Sequence, residues 1–195
     1  MNRSVLLRTL FAACGALLPS FAFAHTGIGI AGGFMHGYLH PFSGLDHVCA
    51  MLAVGLWAVQ QGGRPVWAVP LTFVAVMALG GVLPMLGIGL PFAEQGIALS
   101  VLLLGVLIAA SIRLPLWLGS CLVGLFALWH GHAHGAEMPA LAPGMAYGAG
   151  FLLATGLLHV TGIAAGYGMQ RLTRERVVRF AGAGIALFGV YLAVM

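Results

Sequence analysis

Lysine is absent from this chain, and only four of its 195 residues are acidic. With eight arginines, charged residues make up 6% of the sequence, against roughly a quarter in soluble domains. So little charge cannot cover a water-exposed surface, and a soluble globular domain is excluded. Cysteine is scarce too: Cys14 lies near the start, while Cys49 and Cys121 fall inside apolar runs. That spacing excludes a disulfide framework and a CxxC metal site. No P-loop is present, so the chain carries no ATPase domain of its own, and no His-Glu-x-x-His motif marks a common zinc protease. The net charge of +4 does not point to nucleic acid either, because no arginine cluster is interleaved with aromatics.

What the chain has instead is apolar length. Hydrophobic residues make up 61% of it, and the mean hydropathy is +1.05. Residues 1–24 read as a cleavable signal peptide. Arg3 and Arg8 form its positive start, Thr9 to Phe21 its short apolar stretch, and Ala22-Phe23-Ala24 its small-x-small cleavage site. Cleavage there leaves His25 at the mature N-terminus, outside the cytoplasm. A membrane helix needs about 20 apolar residues to cross roughly 30 Å of hydrocarbon. Six stretches meet that need, at 45–61, 66–88, 94–112, 115–133, 144–168 and 177–195, with glycine and proline punctuating the gaps. The expected fold is an all-α integral membrane protein. It is a bundle of six transmembrane helices forming one domain over 25–195, bounded by the lipid bilayer and open to homo-oligomerisation. Many of the 30 glycines lie inside the spans, where small residues let backbones approach closely.

The arginines predict the orientation. Arg64 follows the first span, Arg113 the third, and Arg171, Arg174, Arg176 and Arg179 the fifth. By the positive-inside rule these turns face the cytoplasm, which puts both mature termini outside. The signal peptide independently places His25 there.

With that topology, seven of the eight histidines and three of the four acids share the outer face. His25, His36 and His40 precede the first span, Asp46 and His47 open it, and Glu94 opens the third. His130, His132, His134 and Glu137 close the fourth. Pro41 and Gly44 interrupt any simple helix near His40, so the chain is expected to bend there and re-enter. An aspartate at the centre of a span costs roughly 2.5–3.5 kcal/mol on insertion scales, less near the interface, so Asp46 needs a partner. If the fourth helix persists, His130, His134 and Glu137 fall on one face and His132 points away. Imidazole and carboxylate without thiolate suit nickel, zinc, cobalt or iron, and ligand type alone does not choose among them. Cys49 is a soft addition three residues after Asp46. His159, deep in the fifth span, is expected to be packed and hydrogen-bonded, with an inner relay as its functional alternative. The four tryptophans near span ends fit an aromatic belt. His-Gly-x-x-His occurs at both His36–His40 and His130–His134, and the topology brings both copies to one face.

These residues fit capture and passage of a divalent metal ion. An alternative from another class is an intramembrane zinc-dependent hydrolase, with Asp46 or Glu137 activating a metal-bound water. A haem-binding electron carrier is a third reading, opposed by the lack of a matching inner histidine pair.

At these residues the chain resembles the HupE/UreJ family of bacterial nickel permeases. One carrying motif is His40-Pro41-Phe42-Ser43-Gly44-Leu45-Asp46-His47, a His-x5-Asp-His pattern that continues through Met51, Gly55 and Trp57. The other runs from Trp129 to Glu137 and is similar to the family's Phe-His-Gly-x-Ala-x-Gly-x-Glu, with Trp129 in the phenylalanine position. The resemblance covers essentially the whole chain. It implies uptake of Ni2+ as substrate, with Co2+ or Zn2+ as alternatives and no permanent cofactor. It further implies supply to hydrogenase or urease, and a place in the bacterial inner membrane with periplasmic termini. His40, Asp46 and His47 carry over as the core metal-handling residues. Glu94, His130 and Glu137 carry over beside them, followed by His36, His132 and His134.

Overall fold

A computed structural model of the protein describes residues 30–140, 142–173 and 175–195. The expected signal peptide and His25 lie outside the described residues. Among those described there is no strand, and seven α-helices follow one another along the chain. They are α1 (Ile30–Leu39), α2 (Leu45–Gln61), α3 (Pro65–Val82), α4 (Ala93–Ala109), α5 (Leu116–Ala136), α6 (Gly144–Thr173) and α7 (Glu175–Val194).

The bend predicted at Pro41 is present. Proline supplies no backbone N–H to continue α1, so the helix stops at Leu39 and a 3-10 turn, His40–Phe42, follows. Ser43 closes that turn: its N–H and its hydroxyl both donate to the His40 carbonyl, at 3.0 and 2.6 Å. The segment before the break and α2 meet at 79°.

Six apolar helices stand in the six predicted places, but their lengths differ from the sequence expectation. Four are long and apolar enough to cross a membrane, and the bent pair of α1 and α2 makes a fifth if counted as one span. The remaining helix, α4, has 17 residues and stops at Ala109, short of the predicted 112. At 1.5 Å per residue it spans about 25 Å. The cause is local: Ser111 adopts a left-handed φ of 54°, and Leu114-Pro115 follows. The last carbonyls of a helix lack intrahelical partners. Here side chains from two other helices supply them. Gln60 Nε2 donates to the Ile108 carbonyl at 3.1 Å and Arg179 Nε to that of Ala109 at 2.8 Å. Trp57 Nε1 and Gln61 Nε2 donate to the Ile112 carbonyl at 3.1 and 3.0 Å, and Gln61 Oε1 accepts from the Leu114 N–H at 2.9 Å.

These bonds tie the α2–α3, α4–α5 and α6–α7 turns together at one end of the bundle, and Arg64, Arg113, Arg171, Arg176 and Arg179 lie there. Trp57 is correspondingly fully buried, so it belongs to the core and not to an aromatic belt. Trp67 and Trp117, at 62% and 68% exposure, do face outward.

Helix α3 packs chiefly on α5, α4 on α7, and both α1 and α2 on α6. A Cβ on Gly131 or Gly135 of α5 would run into the carbonyl of Met77 or Gly81 on α3, so these two glycines set the α3–α5 approach. Between the helices lie Met51, Phe73, Met77, Leu104 and Phe126, all nearly or fully buried. Leu71, Leu79, Phe180 and Leu187 are each 65–75% exposed. So broad an apolar exterior is a liability in water and matches a lipid surround.

Candidate metal-handling site

The end of the bundle opposite the arginines carries the histidines. Gly44 caps α2 in an extended conformation, and a Cβ there would strike the Asp46 carboxylate and the His47 ring. With that space clear, Asp46 Oδ1 accepts from the His47 N–H at 2.8 Å and stands 2.9 Å from His47 Nδ1. A carboxylate oxygen only accepts, so Nδ1 carries a proton, the tautomer that leaves Nε2 as the nitrogen for a ligand. Asp46 thereby fixes the tautomer and direction of His47, as outer carboxylates do for metal-ligating histidines.

Helix α5 persists through Ala136, so His130 and His134 lie one turn apart on its buried face, at 0% and 1% exposure. The His47 ring meets both, edge to face, with centroids 4.9 Å from His130 and 4.5 Å from His134. His40 joins from the 3-10 turn, 4.9 Å from the His134 ring. Its Nε2 contacts Glu137 Oε2 at 2.9 Å, linking the α1–α2 turn to the end of α5. Four imidazoles from three segments thus touch, with Asp46 behind one and Glu137 beside another.

Their nitrogens are unevenly committed. The Ser100 hydroxyl donates its single proton to the Ile97 carbonyl at 2.6 Å, so at 2.9 Å it accepts from His130 Nε2. The neutral His130 ring then presents its lone pair at Nδ1. Among the described residues, His130 Nδ1, both His134 ring nitrogens and the Tyr147 hydroxyl have no hydrogen-bond partner. Buried polar atoms are nearly always paired, and each one left unpaired costs about 1–3 kcal/mol. Several unpaired donors and acceptors at one spot leave nitrogens and a hydroxyl free to meet a ligand. In this arrangement no three His, Cys, Asp or Glu side chains among the described residues stand where one ion would be held. The rings pack on each other, and ligation requires them to turn.

The other predicted residues lie apart. His132 points away from the cluster, as expected, and its Nε2 accepts from the Leu90 N–H at 3.0 Å, latching the loop before α4. Glu94 is exposed in the first turn of α4 and lines a groove with Asp46, Gln95, Leu99, Leu102 and Leu192. His36 is exposed on α1 and has no partner among the described residues. Cys49 is a half-buried free thiol. His159 is buried and packed, but it is not hydrogen-bonded as the sequence led us to expect. Neither of its ring nitrogens has a partner among the described residues.

Four site neighbours escaped the sequence reading. Ser100 orients His130. Phe73 lies 5.6 Å from the His130 ring, Phe151 stacks 5.3 Å from that of His134, and Tyr147 lies 5.8 Å from that of His40. The available signal was a spacing of four between Tyr147 and Phe151, and a lone serine in an otherwise apolar run.

Comparison with known proteins finds matches over most of the chain. A family model described as "HupE / UreJ protein" matches residues 12–192. Protein HupE of Rhizobium leguminosarum bv. viciae is 49% identical over 177 residues, covering 91% of this chain and 92% of that protein. No solved structure matches. Neither match speaks for the intramembrane hydrolase.

Proposed function

The chain belongs to the HupE/UreJ family, and on that premise we propose that it is an inner-membrane permease for a divalent transition metal, with Ni2+ as substrate. Co2+ and Zn2+ are its nearest competitors, and the ion taken up supplies hydrogenase or urease maturation. The observation that carries this reading is the contact of His40, His47, His130 and His134, with nitrogens left unpartnered, at the bundle end remote from the arginines.

Six spans, preceded by the signal peptide, then place the arginine end in the cytoplasm and the histidine end in the periplasm. His40 and Glu137 meet the hydrated ion first, since Glu137 is exposed and His40 partly so. His47 Nε2, His130 Nδ1 and His134 take up ligation as the rings rotate, with Asp46 holding His47 by its far nitrogen. A site assembled by rotation binds more weakly than a rigid cage, because reorganisation is subtracted from the binding energy. That suits a permease, whose ion must leave again. Glu94 and His36, both exposed at the same end, add charge and imidazole to the approach.

Radioactive nickel uptake into cells tests the proposal. Cells expressing the chain are expected to accumulate nickel, and His47→Ala is expected to abolish that accumulation at unchanged protein level. Accumulation equal to that of cells without the protein would sink it. Competition by cobalt, zinc and iron in the same assay reads the metal preference.

A further inference from the structure

His159 belongs to no part of the outer cluster, yet its surroundings resemble those of the cluster histidines. It is 2% exposed, near the middle of α6, with both ring nitrogens unpartnered among the described residues. Leucine would fill such a place without leaving two polar atoms stranded.

Its position along α6 is regular. Tyr147, Phe151, Thr155 and His159 recur every four residues and are all buried, forming one stripe over about 18 Å of helix. Each member of the stripe meets a different inward-facing group. Tyr147 packs on His40 and Phe151 on His134. The Thr155 hydroxyl reaches Met77 Sδ at 3.8 Å. His159 stands edge-on to Phe73, 5.1 Å between centroids, and Phe73 in turn packs on His130. The stripe runs from the outer turn into the bundle and ends on an imidazole, with Phe73 between that ring and His130.

Resting on the permease reading above, we propose that His159 is an inner ion station. A divalent cation leaving the outer cluster passes the edge of Phe73 and is next held by an imidazole nitrogen of His159. Met77 and Thr155, one turn nearer the outer end on their own helices, are neighbouring weak donors. The chemistry differs from the outer site in one respect: Asp46 and Glu137 accompany the outer imidazoles, and no carboxylate is in contact with His159 among the described residues. Without a fixed anion the station holds a dication more loosely, which favours onward release.

Nickel uptake, nickel retention by the purified protein and metal competition together test this. His159→Leu keeps an apolar filling of similar size. Its uptake is expected to fall at least about tenfold at wild-type membrane level, with nickel retention at the outer cluster unchanged. His159→Cys puts a soft thiolate in the path. Cadmium is then expected to block nickel uptake at roughly tenfold lower concentration than in the wild type, a change that a packing role would not produce. Wild-type uptake in His159→Leu, or wild-type cadmium competition in His159→Cys, overturns the inner station. Should His159→Leu be missing from the membrane, the cadmium competition of His159→Cys decides. His47→Ala run in parallel keeps the two readings apart. Its loss of uptake beside an active His159→Leu removes the station and leaves the permease. No uptake by the wild-type protein removes the permease and the station with it.

Discussion

Asp46 has the sharpest role of any single residue. Its carboxylate holds the His47 backbone N–H and Nδ1 together, and so works through His47 as a positioning group. Asp46→Asn keeps the size but removes the charge, and its amide can present either a donor or an acceptor to Nδ1. Loss of such an outer partner typically lowers metal affinity about 10–100-fold. The nickel concentration giving half-maximal uptake is therefore expected to rise about tenfold or more in Asp46→Asn, with the protein still present in the membrane. An unchanged uptake curve would mean that His47 does not need its carboxylate. At this scale the sequence was partly legible. The His-x5-Asp-His spacing picked out three residues that the fold brings to one end of the bundle, two of them adjacent in the chain at one helix start. It did not say that Asp46 turns toward His47, since that depends on the space left by Gly44.

At the scale of helices, glycine decides how closely the site's walls approach. Gly131 and Gly135 alternate with His130 and His134 along α5, and each faces a backbone carbonyl of α3. A side chain at either position would wedge α3 from α5, moving Phe73 away from His130. Without a hydrophobic drive between helices in lipid, that close packing is a main source of association. Gly131→Val is expected to lower both the membrane level and the melting temperature in detergent. Gly156→Ala, where an added Cβ meets nothing within 4 Å, is expected to leave both unchanged. A destabilised Gly156→Ala beside an intact Gly131→Val would refute this account. Helix α4 shows the limit of reading elements from apolar runs. Its stretch continues to Ile112, but the helix ends at Ala109, where Ser111 turns left-handed, and Gln60 and Arg179 take up its last carbonyls while Trp57 and Gln61 take up that of Ile112 beyond it. Those four partners lie some 50 to 70 residues away and leave no trace in the local pattern.

For the whole molecule, the segregation of charge is the governing feature. The described arginines gather at one end, and the cluster imidazoles with Asp46 and Glu137 gather at the other. A positive-inside arrangement then predicts a periplasmic C-terminus. Alkaline phosphatase fused after Met195 is expected to be active, and the same enzyme fused after Gly63 inactive. The reverse pair of activities would invert the protein, and the histidine cluster would then face the cytoplasm as an exit and not as a point of capture.

Run length, composition and the placing of glycine and proline are local properties, so the sequence by itself determined the helical class, the approximate places of six of the seven described helices, though not of α1, and the turns that carry the arginines. It also determined that the chain breaks at Pro41. Only the tertiary structure decided which histidines meet. Helical rotation of about 100° per residue already parts His132 from His130 and His134, but the helix packing alone brings those two to His47 and His132 to the loop at Leu90. Likewise His159 lies apart from the cluster, and only the packing sets Phe73, a residue of another helix, between its ring and that of His130. Such contacts between residues scores apart arise from the rotation and closeness of packed helices, and those are settled by all the side chains along each crossing together.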